Sequence, residues 1–217
     1  MPVLSTRRGR RYNPGGLLRT AMPHLIPIDR QARMRWRNGR GETREVAAWP
    51  RGATIDTFEW RVSIATIDAD GAFSRFPGVT RTMTLIAGAG LRLTGQATRI
   101  ELAGRHATAT YRGDDEINCK LLGGVVQVLN AMVRGDRPAL VTAMDASTRA
   151  VTPARFRVCV ALEGVVECAC DGSGFALGPG DALVMDDAAE RDAVLHVRVR
   201  DGANAALAVR IASQDAA

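Results

Sequence analysis

An all-β fold built from two copies of one jelly-roll unit is what this chain of 217 residues predicts, and three observations carry that reading. Apolar and polar residues alternate with period two in many short runs, Gly, Asp and Pro stand between the runs, and the cadence of runs and turns recurs in the second half. With 46% apolar residues there is enough material for a substantial core.

The elements follow in chain order. Residues 1–25 are non-periodic and punctuated by Arg, Gly and Pro, so a flexible basic leader is expected there, with order beginning near Ile26. Arg7, Arg8, Arg10, Arg11 and Arg19 lie in residues 1–21, which contain no acid; without these five the chain holds 24 basic against 23 acidic residues. The formal charge of +6 therefore describes the leader and not the body. A solvated tail, or translation starting at Met22, accounts for it better than an arm that touches phosphates does, and no nucleic-acid partner is expected.

Strands are expected where alternation is clear. These are Phe58-Glu59-Trp60-Arg61-Val62-Ser63-Ile64, Thr82-Met83-Thr84-Leu85-Ile86 and Leu91-Arg92-Leu93-Thr94 in the first half. In the second half they are Phe156 to Val160, Val166 to Cys170, Phe175 to Leu177 and Ala182 to Met185. The stretch from Cys119 to Arg134 has helical length, but Gly123-Gly124 and the Val-Val pair favour two strands.

The repeat is read by aligning the apolar run that ends at Gly88 with the one that ends at Glu163-Gly164, and Gly113-Asp114 with Gly180-Asp181. In such turns Gly supplies positive φ and Asp bonds its own turn backbone, the cadence of a cupin-type jelly roll (double-stranded β-helix). The expected organisation is a bicupin, two β-barrel halves in one compact body, with a leader over 1–25, an N-terminal half over 26–125 and a C-terminal half over 126–214.

Several chemistries find no support. No run of about 18 uncharged apolar residues spans a membrane and no secretory signal opens the chain, so a cytoplasmic location is expected. Cys119, Cys159, Cys168 and Cys170 lack paired C-x-x-C spacing and read as reduced core thiols. His24, His106 and His196 are too scattered to form the metal cluster that cupin enzymes use, so no metal and no cofactor is expected. Gly88-Ala89-Gly90 precedes a strand and not a helix, which removes the dinucleotide reading. No G-x-S-x-G elbow is present.

The segment from Trp36 to Pro50 stands out, with Trp60-Arg61-Val62-Ser63-Ile64-Ala65 and Asp70-Gly71-Ala72-Phe73-Ser74-Arg75-Phe76-Pro77-Gly78-Val79-Thr80-Arg81 after it. These blocks resemble the signature of the HutD/Ves family, roughly W-x-N-G-G-G-x-T-x-E-I, W-R-x-S-I-A and D-G-x-F-S-x-F-P-G-x-x-R. Leu129-Asn130-Ala131-Met132-Val133-Arg134 is similar to a fourth block, D-F-N-x-M-x-R. The resemblance covers about residues 34–135. Arg40 stands in place of the middle glycine of the first block and Val128 where aspartate is usual. The resemblance implies a bicupin of bacterial histidine utilisation, or of a related amino-acid pathway, that binds a small carboxylate of the urocanate or formylglutamate type and limits pathway expression.

The residues themselves allow such a site. Asn38 and Gly39 favour a tight turn with exposed N–H groups, Thr43 and Ser63 offer hydroxyls, and Arg44, Arg61 and Arg81 offer forked donors suited to a carboxylate. Phe76 is a candidate wall of the barrel mouth beside Phe73, and Asn130, Met132 and Arg134 complete the candidate ligand-binding set. Each Arg has an equal alternative, pairing with an internal acid such as Glu45, Glu59 or Asp70. A second functional class also stays open: a metal-free isomerase or lyase using Glu45, His106 or Arg61 as acid–base groups. No catalytic residue is assigned, and a homodimer remains an alternative to a monomer.

Overall fold

The computed structural model describes residues 23–36, 38–144, 150–186, 193–200 and 206–211. The greater part of the expected leader, residues 1–22, lies outside them. Among the described residues, nineteen strands are joined by turns and one 3-10 turn, Ile28–Arg30. The strands are β1 (His24–Ile26), β2 (Arg33–Arg35), β3 (Gly41–Trp49), β4 (Trp60–Ile67), β5 (Gly71–Ala72), β6 (Val79–Ala87), β7 (Leu91–Thr94), β8 (Arg99–Leu102), β9 (Thr108–Arg112) and β10 (Asn118–Leu121). They continue as β11 (Val126–Arg134), β12 (Leu140–Met144), β13 (Ala150–Val151), β14 (Phe156–Ala161), β15 (Val166–Cys170), β16 (Ser173–Leu177), β17 (Ala182–Met185), β18 (Leu195–Val199) and β19 (Ala206–Ile211). No helix among the described residues is long and apolar enough to cross a membrane.

The all-β bicupin expected from the alternation is what forms. One barrel closes a six-stranded sheet, β2-β3-β4-β11-β6-β9, over a four-stranded one, β5-β10-β7-β8. The other closes β1-β17-β14-β19-β12 over β13-β18-β15-β16. From β4 onward each strand has a counterpart eight strands later. β11 joins β4 to β6 as β19 joins β12 to β14, and β10 joins β5 to β7 as β18 joins β13 to β15.

This topology refines the expected repeat. Gly88 after β6 and Gly164 after β14 are equivalent, as read from the sequence. Gly180-Asp181 precedes β17, the counterpart of β9, whereas Gly113-Asp114 follows β9, so that part of the alignment slips by one strand. A strand and its turn repeat every dozen residues, so local pattern cannot fix which hairpin matches which; hydrogen-bonded pairing can. The expected division at 125/126 likewise falls in front of β11, whose partners β4 and β6 both belong to the first barrel. At the other end β1 begins at His24, two residues before the expected start of order, and pairs with β17 of the second barrel. Asp181 fastens it there, accepting from Ile28 N at 2.9 Å and from Gly178 N within its own turn at 2.9 Å.

Three cores result. Trp60, Val62 and Ile64 of β4 and Leu129, Ala131 and Val133 of β11 meet Phe156, Val158, Val160, Leu207 and Val209 between the barrels. Trp60 and Trp49 both lie against Phe156, ring centroids 5.4 and 5.5 Å apart. With one face of β4 and β11 committed to that interface, period two turns Arg61, Ser63, Asn130 and Met132 into the first barrel. Its floor is apolar, with Ala65, Ile67, Met83, Leu85, Leu91 and Leu93 among its residues. The second interior is aliphatic and sulfur-rich, holding Met144, Met185, Cys159, Cys168 and Cys170. All four cysteines are free and buried, and the Cys159 and Cys168 sulfurs lie 3.9 Å apart.

Candidate functional site: a caged arginine in the first barrel

Strand register assembles the site in rows. Arg61 on β4 stands opposite Met132 on β11, Met132 opposite Arg81 on β6, and Arg81 opposite Tyr111 on β9. In the neighbouring row Glu45 on β3 faces Ser63, Ser63 faces Asn130, and Asn130 faces Met83. Two polar rows therefore sit directly above an apolar floor. A β-bulge between Glu45 and Ala47 shapes their edge. It leaves Ala48, with only a methyl group, opposite Arg61, and turns Val46 into the inter-barrel core.

The two arginines are buried alike and compensated differently. Arg61, 6% exposed, donates through Nε to Glu45 Oε2 at 2.7 Å and through Nη1 to Ser63 Oγ at 3.5 Å. Its charge is matched by the protein's own carboxylate. Arg81, 7% exposed, has no carboxylate partner among the described residues. Its guanidinium carbon lies 5.5, 5.4 and 5.1 Å from the ring centroids of Phe73, Phe76 and Tyr111, an aromatic cage that holds a cation without neutralising it. Two long contacts complete its surroundings, Nη2 to Asn130 Oδ1 at 3.4 Å and Nη1 to Ser74 O at 3.5 Å. Arg81 Nε and the Tyr111 hydroxyl are buried without a hydrogen-bond partner among the described residues. Burial pushes the Tyr111 pKa above its usual value, against the opposing pull of Arg81. A desolvated cation beside two unsatisfied donors is unfavourable unless an acceptor completes it.

The candidate residues divide accordingly. Arg61, Ser63, Phe76, Arg81, Asn130 and Met132 converge in the first barrel. Thr43 faces the same interior one row on, but its hydroxyl is taken by Trp36 Nε1 at 2.8 Å. Arg44 points the other way: it donates to Gln31 Oε1 and to Gly180 O at 3.0 Å and ties the first barrel to the second. Burial, then the nearby Arg33, lowers its pKa against Asp181 and Glu42. It leaves the site because it alternates with Thr43 and Glu45 on β3. Asn38 and Gly39 do form the expected turn, with Asn38 Oδ1 accepting from Arg40 N at 3.0 Å and Gly39 at φ +70°. That turn adjoins the Gly41–Ile67 end of the sheet, six residues along β4 from Arg61, a separation of about 20 Å. Arg134 acts as a clasp, donating to Phe58 O at 3.1 Å and Asp56 O at 3.0 Å and so holding the 50–58 loop over the Met132 end. His106 lies on the β8–β9 turn, its pKa lowered by burial and then by Arg105, and has no part in the cage.

Tyr111 escaped the sequence reading. It sits in an ordinary alternating run, Thr108 to Arg112, and only the β6–β9 register brings it against Arg81. Glu45 was an internal acid by expectation, and its pairing with Arg61 puts it at the edge of the site.

The duplication shows how the two barrels differ at the position of Arg81. Arg157 on β14 is the counterpart of Arg81 and is also buried, at 1% exposure, donating to Ala193 O. Around it Met185 replaces Tyr111, Ala208 replaces Asn130 and Leu140 replaces Arg61. An open surface cleft of about 840 Å3 lies elsewhere, along Arg75, Gln96, Arg112, Asp114, Asp115 and Glu116. Two of its acids serve as scaffolding: Asp114 accepts from Gly78 N and Arg112, and Asp115 from the Gln96 and Ala97 amides. No group of three or more metal-ligating side chains is gathered among the described residues.

The chain is similar to several known proteins. Protein Ves of Citrobacter koseri is 45% identical over 103 residues, covering 47% of this chain and 53% of that protein. An uncharacterized 21.2 kDa protein in the hutC 3' region of Pseudomonas putida is 36% identical over 115 residues, 52% of this chain and 59% of that protein. The chain thus spans little more than half the length of these curated relatives. A conserved protein of unknown function from Pseudomonas aeruginosa superposes with a TM-score of 0.77 at 24% identity, covering 88% of this chain and all of that one. The HutD structure from Pseudomonas fluorescens superposes with a TM-score of 0.71 at 25% identity, covering 88% and 98%. The HutD family model matches residues 29–206, which include the aromatic cage, the clasp and every strand but β1 and most of β19; this chain belongs to the HutD family.

Proposed function

We propose that the first barrel receives a small carboxylate metabolite on Arg81, and that its occupancy modulates histidine utilisation or a related amino-acid pathway in the cytoplasm. One observation carries this reading: Arg81 is a buried cation caged by aromatic rings, its Nε unpartnered and its charge without a carboxylate partner among the described residues. A carboxylate supplies the missing charge and accepts from the guanidinium fork, while Tyr111 and Asn130 offer further polar contacts. The apolar floor accommodates the ligand's carbon skeleton. Family membership, and a relative named for its place in the hutC 3' region, support the pathway. The test is calorimetric titration and thermal shift with urocanate and N-formylglutamate. Saturable binding that disappears in Arg81→Met supports the reading; no response to either at millimolar concentration overturns it.

The Glu45–Arg61 pair favours one other reading, a metal-free isomerase or lyase in which Glu45 acts as general base beside a cationic electrostatic partner. Turnover of a bound carboxylate that is lost in Glu45→Gln, with binding retained, would select it.

A further inference from the structure

We infer that Asp186, a residue of the second barrel, is a positioning residue for the site in the first: through Arg51 it pins the 50–58 loop against the cage and sets how long a bound ligand stays. The inference rests on the carboxylate reading above and adds to it the part of the molecule that controls access.

The cage is shut. Arg81, Tyr111 and Met132 are each no more than 7% exposed, so a ligand reaches the guanidinium only when a wall yields. Two segments wall that end of the barrel. Residues 73–78 are tied to the first barrel's own backbone and turn, by Phe73 N to Ile117 O at 2.8 Å, Phe76 N to Gly113 O at 2.7 Å and Gly78 N to Asp114 Oδ1 at 3.0 Å. The 50–58 loop backs them: its buried Phe58 forms a small core with Met132 and Val79, against which Phe76 and Ala53 pack. With the loop in place Phe76 stays 5.4 Å from the Arg81 guanidinium. With the loop lifted, Phe76 loses that backing and is free to swing.

The loop is a compact unit hung at two points. Within it Ala53 N donates to Pro50 O, Phe58 N to Thr54 O and Thr54 N to Thr57 Oγ1. Near β4 the Arg134 clasp holds the Asp56 and Phe58 carbonyls from within the first barrel. Near β3 the hold comes from outside. Arg51 gives Nε to Asp186 Oδ2 at 2.8 Å and Nη2 to Asp186 Oδ1 at 2.6 Å, and it also donates to His24 Nε2. Asp186 directly follows β17, and His24 lies on β1, which pairs with β17, so both acceptors belong to the second barrel. The Asp186 side chain is 5% exposed and that of Arg51 is 57% exposed: a fixed anchor in the body is met by a hook on the surface. A guanidinium fork on a carboxylate is strong and geometrically defined. Made by a surface loop, it opens without unfolding either barrel.

The test uses Asp186→Asn and Arg51→Met, with Arg51→Lys as the conservative variant. Two quantities are read: amide hydrogen exchange of the 50–58 segment by mass spectrometry, and release of urocanate and N-formylglutamate by stopped-flow tryptophan fluorescence. Either removal is expected to speed both by about tenfold, as for loss of a hydrogen bond to a charged group. The double variant should add little to either single one, and Arg51→Lys, which keeps the charge without the fork, should fall between. A merely structural contact would lower the urea midpoint and leave the release rate where it was. Wild-type release rates in these variants, with ligand still bound, overturn the inference and leave the carboxylate reading intact. Silence of the wild type toward both metabolites overturns both. Arg51 lies at the surface, so its variants keep the comparison available if Asp186→Asn fails to fold.

Discussion

Replacing Arg81 with methionine separates a ligand-binding arginine from a structural one. Methionine keeps an unbranched side chain of similar reach, so the cage is not emptied. The substitution forfeits three ring contacts, each worth from about 0.5 kcal/mol to about 2 kcal/mol for a desolvated cation, or about 1.5–6 kcal/mol together. Against that stands the relief of a buried charge that has no counter-ion among the described residues; leaving a buried charge uncompensated costs about 3–5 kcal/mol. The terms offset, and the stability of the unliganded variant is expected to lie within about 3 kcal/mol of wild type. Urea denaturation measures this directly, with an unchanged m-value confirming that the unfolding reaction is the same. Ligand response moves in the opposite sense. At a concentration of 100 Kd a carboxylate stabilises the wild type by about 2.7 kcal/mol, which for a chain of this size raises Tm by about 5–11 °C. The variant should show no such shift. A variant destabilised by more than about 3 kcal/mol that still responds to carboxylates would refute the reasoning, because Arg81 would then be part of the fold and not of a receptor.

Other consequences are as direct. Phe156→Ala empties the centre of the inter-barrel core, where Trp49 and Trp60 both rest, and should cost about 3–5 kcal/mol; scanning calorimetry should show one transition moving, since the same core serves both barrels. The carboxyls of Asp114 and Asp115 are held below their usual 3.8, Asp114 by the Gly78 amide and Arg112, Asp115 by the Thr98 side chain and the Ala97 and Gln96 amides. A depressed folded pKa contributes stability that is present above 3.8 and is lost as pH falls through the lower folded values, so Asp115→Asn should flatten the acid limb of a stability-versus-pH curve. Burial pushes the Cys119 thiol up to about 12, and the hydrogen bond with Cys168, then burial, raises Cys159 well above its usual range. These two cysteines should therefore resist iodoacetamide at pH 8 in the folded protein and react on denaturation, by mass spectrometry; alkylation of either in the native state contradicts the burial.

The alternation of Trp60 to Ala65, the turn at Gly88 and the scarcity of clustered histidine determined a good deal without coordinates: an all-β chain, a duplicated unit, and a polar group of Arg, Ser and Asn in the first half. Each of these is written in local chemistry, period two for strands and Gly or Asp for turns, and local chemistry is visible in a string of residues. Pairing is not. Only the tertiary structure sent Arg44 outward to Gly180, set the Asn38 turn at the far end of the sheet and gave β11 to the first barrel. It also distinguished two arginines that look alike in the sequence, matching Arg61 to Glu45 and leaving Arg81 among aromatic rings. The physical reason is that register and sheet order join residues dozens of positions apart, and whether a buried charge has a partner depends on those distant neighbours.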